Sequence, residues 1–115
     1  MYFKLKFEEK DDILVVTGQG ELDVYHSLNF KEEAMVRINE KTERYIILNF
    51  QEIPYVDSSG LGAVISLLKD IHKHHKEIAL CGMNRDVSNI FKMTQTDKIV
   101  TIYPDLDQAI TNIKK

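Results

Sequence analysis

Short apolar runs alternate along the chain with segments whose apolar residues recur at helical spacing, and this alternation restricts the fold more than any other feature. Residues 45–48 form a nearly unbroken apolar run, typical of a strand that is buried on both faces of a sheet, and residues 78–81 form the next strand. Between them, Leu61, Val64 and Leu68 recur with the period of a helix. Strands that alternate with helices predict a mainly parallel sheet with right-handed crossovers.

The beginning of the chain predicts a hairpin. Residues 3–8 alternate between apolar and charged side chains, which is the pattern of a half-buried strand. Residues 10–12 then predict a turn, and residues 13–16 predict the second strand. Residues 18–20, Gly-Gln-Gly, are expected to break the strand pattern.

Helix boundaries are predicted from capping residues. Ser27 is the expected N-cap of the first helix, Asn84 precedes the third, and Asp105 begins the fourth with capping-box spacing. Residues 99–100 are expected in the last strand. The predicted fold class is therefore α/β: a single domain over residues 1–115 with a mostly parallel mixed β-sheet, an N-terminal hairpin and four helices. The expected apolar helix faces include Phe30, Ala34, Met35 and Ile38, then Val87, Ile90 and Phe91, and finally Leu106, Ala109, Ile110 and Ile113.

Composition excludes several classes of protein. A chain of 115 residues suits one domain, and its net charge of −3 provides no basic surface for direct nucleic-acid binding. Cys81 is the only cysteine, which excludes a disulfide and a cysteine-based zinc site. Residues 1–12 are too charged for a signal peptide, and the longest apolar stretch, within residues 61–68, is too short to span a membrane. We therefore expect a cytoplasmic protein without membrane insertion.

Residues 55–62 join a predicted strand to a predicted helix, where α/β folds usually place their functional sites. Ser58 or Ser59 would stand at the helix N-terminus, whose free N–H groups and dipole favour an added anion. A phosphoryl group there would add about −1.5 to −2 charges and change the outer surface while the fold tolerates it. Gly60 and Gly62 are expected to leave this surface bare for another backbone. Asp-Ser-Ser is also ordinary N-cap chemistry, so the residues alone leave a purely structural role open.

The segment at residues 56–62, Val-Asp-Ser-Ser-Gly-Leu-Gly, resembles the signature of the STAS domain of bacterial anti-sigma factor antagonists. Two departures concern the choice of partner rather than the serine. Residues 74–76 are His-His-Lys where the family often has Gly-Gly, and Gln95 stands where a glycine often follows Ser or Thr. The resemblance covers nearly the whole chain, because it extends to residues 20–23, 46–50, 90–94, 97–99 and 102–109.

The resemblance implies a single STAS domain that works by partner switching. An anti-sigma factor that is itself a serine kinase of the GHKL type holds a sigma factor inactive, and the unphosphorylated antagonist binds this kinase and frees the sigma factor. The kinase then phosphorylates the antagonist with ATP, and a PP2C-type phosphatase resets the switch. By position, Ser58 matches the phosphorylated serine, so the chain is a substrate of its partner and not an enzyme. The partner-binding residues that the resemblance implies are Asp23, Asp57, Ser59, Gly60, Leu61 and Gly62.

Individual side chains carry further expectations. The carboxylate of Asp23, which follows a glycine turn, is expected to face the Ser58 edge of the sheet. Leu61 is expected to be exposed beside Ser58, whereas Met93 is expected to pack in the core. Cys81 ends an apolar strand and is expected to be buried rather than reactive.

Other functions have weaker support. A STAS adaptor without a phosphorylation cycle, in a lipid-transport or signalosome-like assembly, is the main alternative, and a serine at position 58 favours the switch over it. A nucleotide loop at residues 18–23 lacks the third glycine of GxGxxG. His72 and His75 would share a helix face, but no spaced acidic or cysteine ligand completes a metal site. A serine hydrolase would need a histidine such as His26 beside Ser58, and the sequence has no G-x-S-x-G elbow. We expect no cofactor and no metal ion.

Overall fold

One five-stranded sheet organises the structure, a computed structural model that describes residues 2–115. Its elements are β1 (Phe3–Lys10), β2 (Ile13–Gly20), α1 (Ser27–Glu40), β3 (Tyr45–Glu52), α2 (Ser58–Lys73), β4 (Glu77–Cys81), α3 (Arg85–Met93), β5 (Thr101–Tyr103) and α4 (Leu106–Asn112), with a 3-10 turn at Thr96–Lys98. The strands follow the order β1-β2-β3-β4-β5. β1 and β2 pair antiparallel and the remaining neighbours pair parallel. The predicted fold class is confirmed.

The N-terminal hairpin forms as predicted, but its strands are longer than the sequence pattern indicates. β1 pairs with β2 along the full length of both strands, which leaves residues 11–12 as the turn. The prediction that residues 18–20 break the strand is wrong. β2 continues through them, with a register shift against β3 between Thr17 and Gln19. Gly18 and Gly20 therefore lie within β2, and a Cβ on Gly20 would come within 2.4 Å of the Tyr2 carbonyl oxygen.

Alternate side chains of the strands contribute to two separate cores. Leu14 and Val16 of β2 belong to the core that α1, α2 and α3 cover, whereas Ile13 and Val15 pack with α4. β3 lies in the middle of the sheet and is buried on both faces, as its apolar run predicts. The helices supply Phe30, Ala34 and Ile38 from α1, Leu61, Val64, Leu67, Leu68 and Ile71 from α2, and Val87 and Phe91 from α3.

The predicted cap of α1 is wrong. Ser27 is the first helical residue, and His26 occupies the N-cap position without a side-chain cap hydrogen bond. The backbone carbonyl of Asp23 accepts from the N–H groups of His26 at 3.1 Å and Ser27 at 2.9 Å, so the preceding turn satisfies these donors. The predicted cap at Asp105 is confirmed, and Asn84, which the sequence places before the third helix, is the N-cap of α3. Each of the two side chains accepts a hydrogen bond from the backbone N–H three residues further on.

The segment before β5 also differs from the prediction. Ile99 and Val100 lie outside the last strand, which begins at Thr101, and Ile99 is 66% exposed. Met93 is 82% exposed, so its predicted place in the core is wrong. Phe91 already fills the core-facing side of α3, and Met93 lies about 200° further round the helix. Apolar side chains at element ends are thus not all core residues in this chain.

Cys81 is buried, as expected. Burial, with a smaller contribution from the carboxylate of Asp105, raises the pKa of its thiol to about 12. The reactive thiolate is therefore scarce at neutral pH.

Across residues 2–115, no helix has both the length and the apolar character that crossing a bilayer requires.

Candidate functional site

Ser58 is the first residue of α2, and the preceding residue fixes this helix to a neighbouring loop. Asp57 is the N-cap of α2, and its Oδ1 accepts a hydrogen bond from the Gly60 N–H at 2.8 Å. Its Oδ2 accepts a second hydrogen bond from the Val24 N–H, in the loop between β2 and α1, at 3.0 Å. One carboxylate therefore caps the helix and holds the β2–α1 loop beside Ser58.

The β2–α1 loop and the start of α2 approach so closely that only glycine fits at position 60. Leu22 and Val56 form a parallel bridge, and a Cβ on Gly60 would lie 2.1 Å from the carbonyl oxygen of Leu22. Gly60 is buried, so the expectation that it leaves an outer surface bare is wrong. The backbone that it admits belongs to this chain. Gly62 is exposed with open space at the Cβ position, as expected.

Asp23 shapes the loop on which it lies. Its side chain is buried, and its Oδ1 accepts from the Tyr25 N–H at 3.0 Å and lies 2.8 Å from Nδ1 of His26. The loop carries Asp23 to the same edge of the sheet as Ser58, because Leu22 pairs with the segment before α2. Oδ1 is nevertheless engaged within its own loop, so the contribution of Asp23 to the site passes through the loop's shape.

The two residues after Ser58 differ from one another in exposure. Ser59 is half-buried, whereas Leu61 is only 8% exposed and belongs to the main core. The expectation that Leu61 is exposed beside Ser58 is therefore wrong. Leu61 is one turn into α2 and points inward with Val64, in agreement with its helical spacing. It supports the position of the helix and offers little surface to a partner.

Three exposed apolar side chains flank the site, and the sequence analysis missed them. We call them the apolar rim: Val24 is 60% exposed, Tyr25 is 78% exposed and Tyr55 is 49% exposed. Leu22 N–H donates to the Tyr55 carbonyl at 2.9 Å, which holds the two loops that carry the rim together. The sequence could have indicated these residues, because they are apolar residues in loops next to the signature and loops usually carry polar side chains. Exposed apolar side chains grouped on neighbouring loops are a feature of interaction sites.

The site presents a hydroxyl in a position that tolerates negative charge. Ser58 is exposed at the N-terminus of a 16-residue helix. The helix dipole stabilises an anion there by about 0.3–1 kcal/mol. His26 Nδ1 lies 2.8 Å from Oδ1 of Asp23. The site therefore offers an exposed hydroxyl at a helix end that stabilises an added anion.

The histidines near the end of α2 do not share a helix face as expected. α2 ends at Lys73, and His75 follows with a φ of 60°, beyond the helix. Over the part of the chain that the structure describes, no three His, Cys, Asp or Glu side chains are grouped to hold a metal ion.

Comparison with known proteins gives concordant results for sequence and structure. The model of the STAS domain matches residues 4–109. An anti-sigma F factor antagonist from Paenibacillus polymyxa is 28% identical over 114 residues, which are 99% of this chain and 97% of the relative. The crystal structure of an anti-sigma factor antagonist from Mycobacterium paratuberculosis superposes with a TM-score of 0.90 at 18% identity, over 99% of this chain and 96% of that one. The Bacillus cell fate determinant SpoIIAA in its phosphorylated form gives a TM-score of 0.72 at 19% identity, over 96% of this chain and 99% of that one.

Proposed function

The chain belongs to the STAS domain family, and we propose that it is an anti-sigma factor antagonist switched by phosphorylation of Ser58. Its relative from Paenibacillus polymyxa carries that name and matches almost end to end, which supports the antagonist role. In this proposal residues 1–115 act as one regulatory domain in the cytoplasm. In the same proposal the domain is a substrate of its partner kinase and not an enzyme.

The proposal rests on the environment of Ser58. Its hydroxyl is exposed at the start of α2, while the Asp57 carboxylate is occupied by two backbone N–H groups. The apolar rim of Val24, Tyr25 and Tyr55 stands beside it. A partner that covers the rim also covers the hydroxyl, so recognition and modification share one surface.

The same surface explains why a phosphate would end the complex. A buried hydroxyl that keeps a hydrogen bond costs little to desolvate. A phosphate carries about −1.5 to −2 charges. Its burial against a surface shaped for a neutral hydroxyl costs several kcal/mol unless positively charged groups pair with it. Asp57 and the apolar rim carry no positive charge that would offset the phosphate. The modified antagonist therefore leaves the kinase.

The proposed partners are a GHKL-type anti-sigma factor kinase and a PP2C-type phosphatase. In the kinase step, Oγ of Ser58 attacks the γ-phosphorus of ATP, an Oγ–P bond forms, and the bond from that phosphorus to the bridging oxygen of ADP breaks. The serine proton passes to a base of the kinase. In the reset step, the phosphatase transfers the phosphoryl group to water, and free serine and inorganic phosphate result.

Phosphorylation by a kinase of the same genome tests the proposal directly. The chain is incubated with that GHKL-type kinase and ATP, and intact mass and peptide mass spectrometry follow. We expect one phosphate on Ser58, none on Ser58→Ala, and normal modification of the matched variant Ser59→Ala. A main site at Ser59 or Thr94 would contradict the assignment. A stable complex with no phosphorylation at all would favour the adaptor function instead.

A further inference from the structure

A second surface lies at the end of the sheet opposite Ser58. An open groove of about 1380 Å³ runs along the amino ends of β4 and β5, between the last turns of α2 and the segment before β5. Five Lys or Arg side chains and two carboxylates, Glu77 and Asp97, line it, although the whole chain has a net charge of −3. The cations are Arg44, Lys69, Lys73, Lys76 and Lys98.

Most of these cations are available to a partner. Lys69, Lys73 and Lys98 are exposed and form no ion pair with any carboxylate of residues 2–115. Lys76 differs, because its Nζ donates to the carbonyl oxygens of Ile38 at 2.9 Å and Lys41 at 3.0 Å. Lys76 therefore fastens α1, and the other three lysines provide free positive charge.

The floor of the groove is apolar. Leu68 and Val100, which line it, are nearly buried, and Ile99 is 66% exposed. Three free lysines and an exposed isoleucine in one groove are complementary to a surface that combines carboxylates with apolar side chains. We propose that this groove binds an acidic amphipathic helix of a partner protein.

The size and shape of the groove favour a helical protein segment over other anions. Its volume exceeds the range of about 300–1,000 Å³ usual for small-molecule sites and holds roughly three turns of a helix about 10 Å across. Among the described residues that line the groove there is no Phe, Tyr or Trp on which a nucleic-acid base would stack.

This surface works independently of the phosphorylation site. Ser58 and Lys73 are the two ends of α2, about 22 Å apart along the helix axis. A phosphate on Ser58 is therefore screened from the groove at physiological ionic strength, where the Debye length is about 8 Å. The inference does not rest on the function proposed above, and both partners have room to bind together.

Fluorescence anisotropy with a synthetic probe tests the groove. The probe is a labelled peptide of about 14 residues made of Glu and Leu, with Leu at helical spacing, and its control is a scrambled peptide of the same composition. We expect saturable binding of the probe that weakens with salt and weakens by about tenfold in Lys73→Glu/Lys98→Glu. The matched double variant Lys4→Glu/Lys6→Glu, on exposed positions of β1, and Ser58→Asp should both bind as the wild type does.

A further variant and chemical-shift mapping locate the binding surface. Ile99→Ser should weaken binding of the probe several-fold, and amide chemical shifts of the wild-type chain should change mainly along the groove. The inference is overturned if the scrambled peptide binds equally well, or if both double variants lose the same affinity. It is overturned as well if phosphatidylserine vesicles or single-stranded DNA bind through these lysines and the peptide does not.

Discussion

At the carboxyl end of the parallel strands, Asp23 and Asp57 direct their carboxylates to backbone N–H groups, whereas at the amino end Glu43 binds a side-chain cation. Asp57 spans from α2 to the β2–α1 loop, and Asp23 holds that loop from within. Glu43 is buried and makes two hydrogen bonds to Arg37, at 3.2 and 2.9 Å. The carboxylates of Asp57 and Glu43 thus serve different purposes.

The difference separates recognition from support. A carboxylate that binds backbone fixes the course of a loop and leaves the loop's side chains free, and Val24 and Tyr25 in this loop are exposed. A carboxylate that binds a guanidinium consumes two side chains to join two segments. Arg37 also reaches Glu9 of β1 at 2.7 Å, so it ties α1 to the hairpin and to the residues before β3. Changes at the first end should affect binding, and changes at the second should affect stability.

The largest effect is expected from charge at Ser58. Ser58→Ala should bind the GHKL-type kinase persistently, whereas Ser58→Asp and the phosphorylated chain should bind it weakly. A difference of about 3 kcal/mol corresponds to more than a hundredfold in affinity. The fold should be unchanged, because the helix N-terminus offsets part of the new charge. Calorimetric titration measures the affinities, and circular dichroism is the control for folding. Equal affinities of the Ala and phosphorylated forms would show that charge at Ser58 is not the switch.

The second effect is an exception to the expectation that changes near Ser58 affect binding only, because here a change near Ser58 should lower stability. Gly60→Ala places a methyl group 2.1 Å from the Leu22 carbonyl oxygen, a backbone atom that cannot yield without separating the loop from α2. We expect a loss of about 2–3 kcal/mol in the free energy of unfolding, measured in urea. The matched variant Gly62→Ala meets open space and should gain up to about 1 kcal/mol, since alanine favours a helix. Equal effects of the two substitutions would contradict the close approach at Gly60.

Much of this architecture could be predicted from the sequence because it depends on local patterns. The apolar run of β3, the helical spacing of α2 and the caps at Asn84 and Asp105 each act within a few residues, and the structure confirms them. The position of Ser58 at the start of α2 follows from the same kind of pattern, with Asp57 before it as the cap.

The parts that could not be predicted depend on distant contacts. Gly60 appears suited to an outside partner until the fold places Leu22 against it. Asp23 appears directed at Ser58 until its own loop supplies two nearer donors. Met93 and Ile99 are apolar, but the packing leaves both of them exposed. In each case the sequence gives the residue type, and only the packing gives its neighbour.

The third effect tests the supporting end through pH. The hydrogen bonds from Arg37 lower the pKa of Glu43 from the ordinary value of 4.5. A carboxyl whose folded pKa is depressed stabilises the fold above its unfolded pKa, and this contribution is lost as the pH falls through the folded pKa. Glu43→Gln should therefore cost about 2 kcal/mol near neutral pH and progressively less below about pH 4.

Urea unfolding from about pH 7 down to about pH 3 measures this difference. The control is Glu33→Gln, which removes an exposed carboxylate from α1, the helix that carries Arg37, and should be nearly neutral throughout. A cost for Glu43→Gln that does not change with pH would mean that the ion pair with Arg37 does not stabilise the fold. Kinase affinity should remain at the wild-type level, because Glu43 lies at the other end of the sheet.

The smallest effect concerns Asp23 and decides whether loop shape matters for recognition. Asp23→Ala removes the acceptor for the Tyr25 N–H and the partner of His26, at a cost of about 1 kcal/mol in stability. The loop that carries Val24 and Tyr25 then loses its fixed course. Because the loop must be ordered again on binding, the affinity of the variant for the kinase should fall several-fold. Asp23→Asn keeps an oxygen at the Oδ1 position and should recover most of that affinity. If the rate of phosphorylation and the affinity of Asp23→Ala both equal those of the wild type, Asp23 is a turn residue only. If Asn fails to recover what Ala loses, the negative charge is what the kinase recognises, and the carboxylate must turn toward the partner when the complex forms.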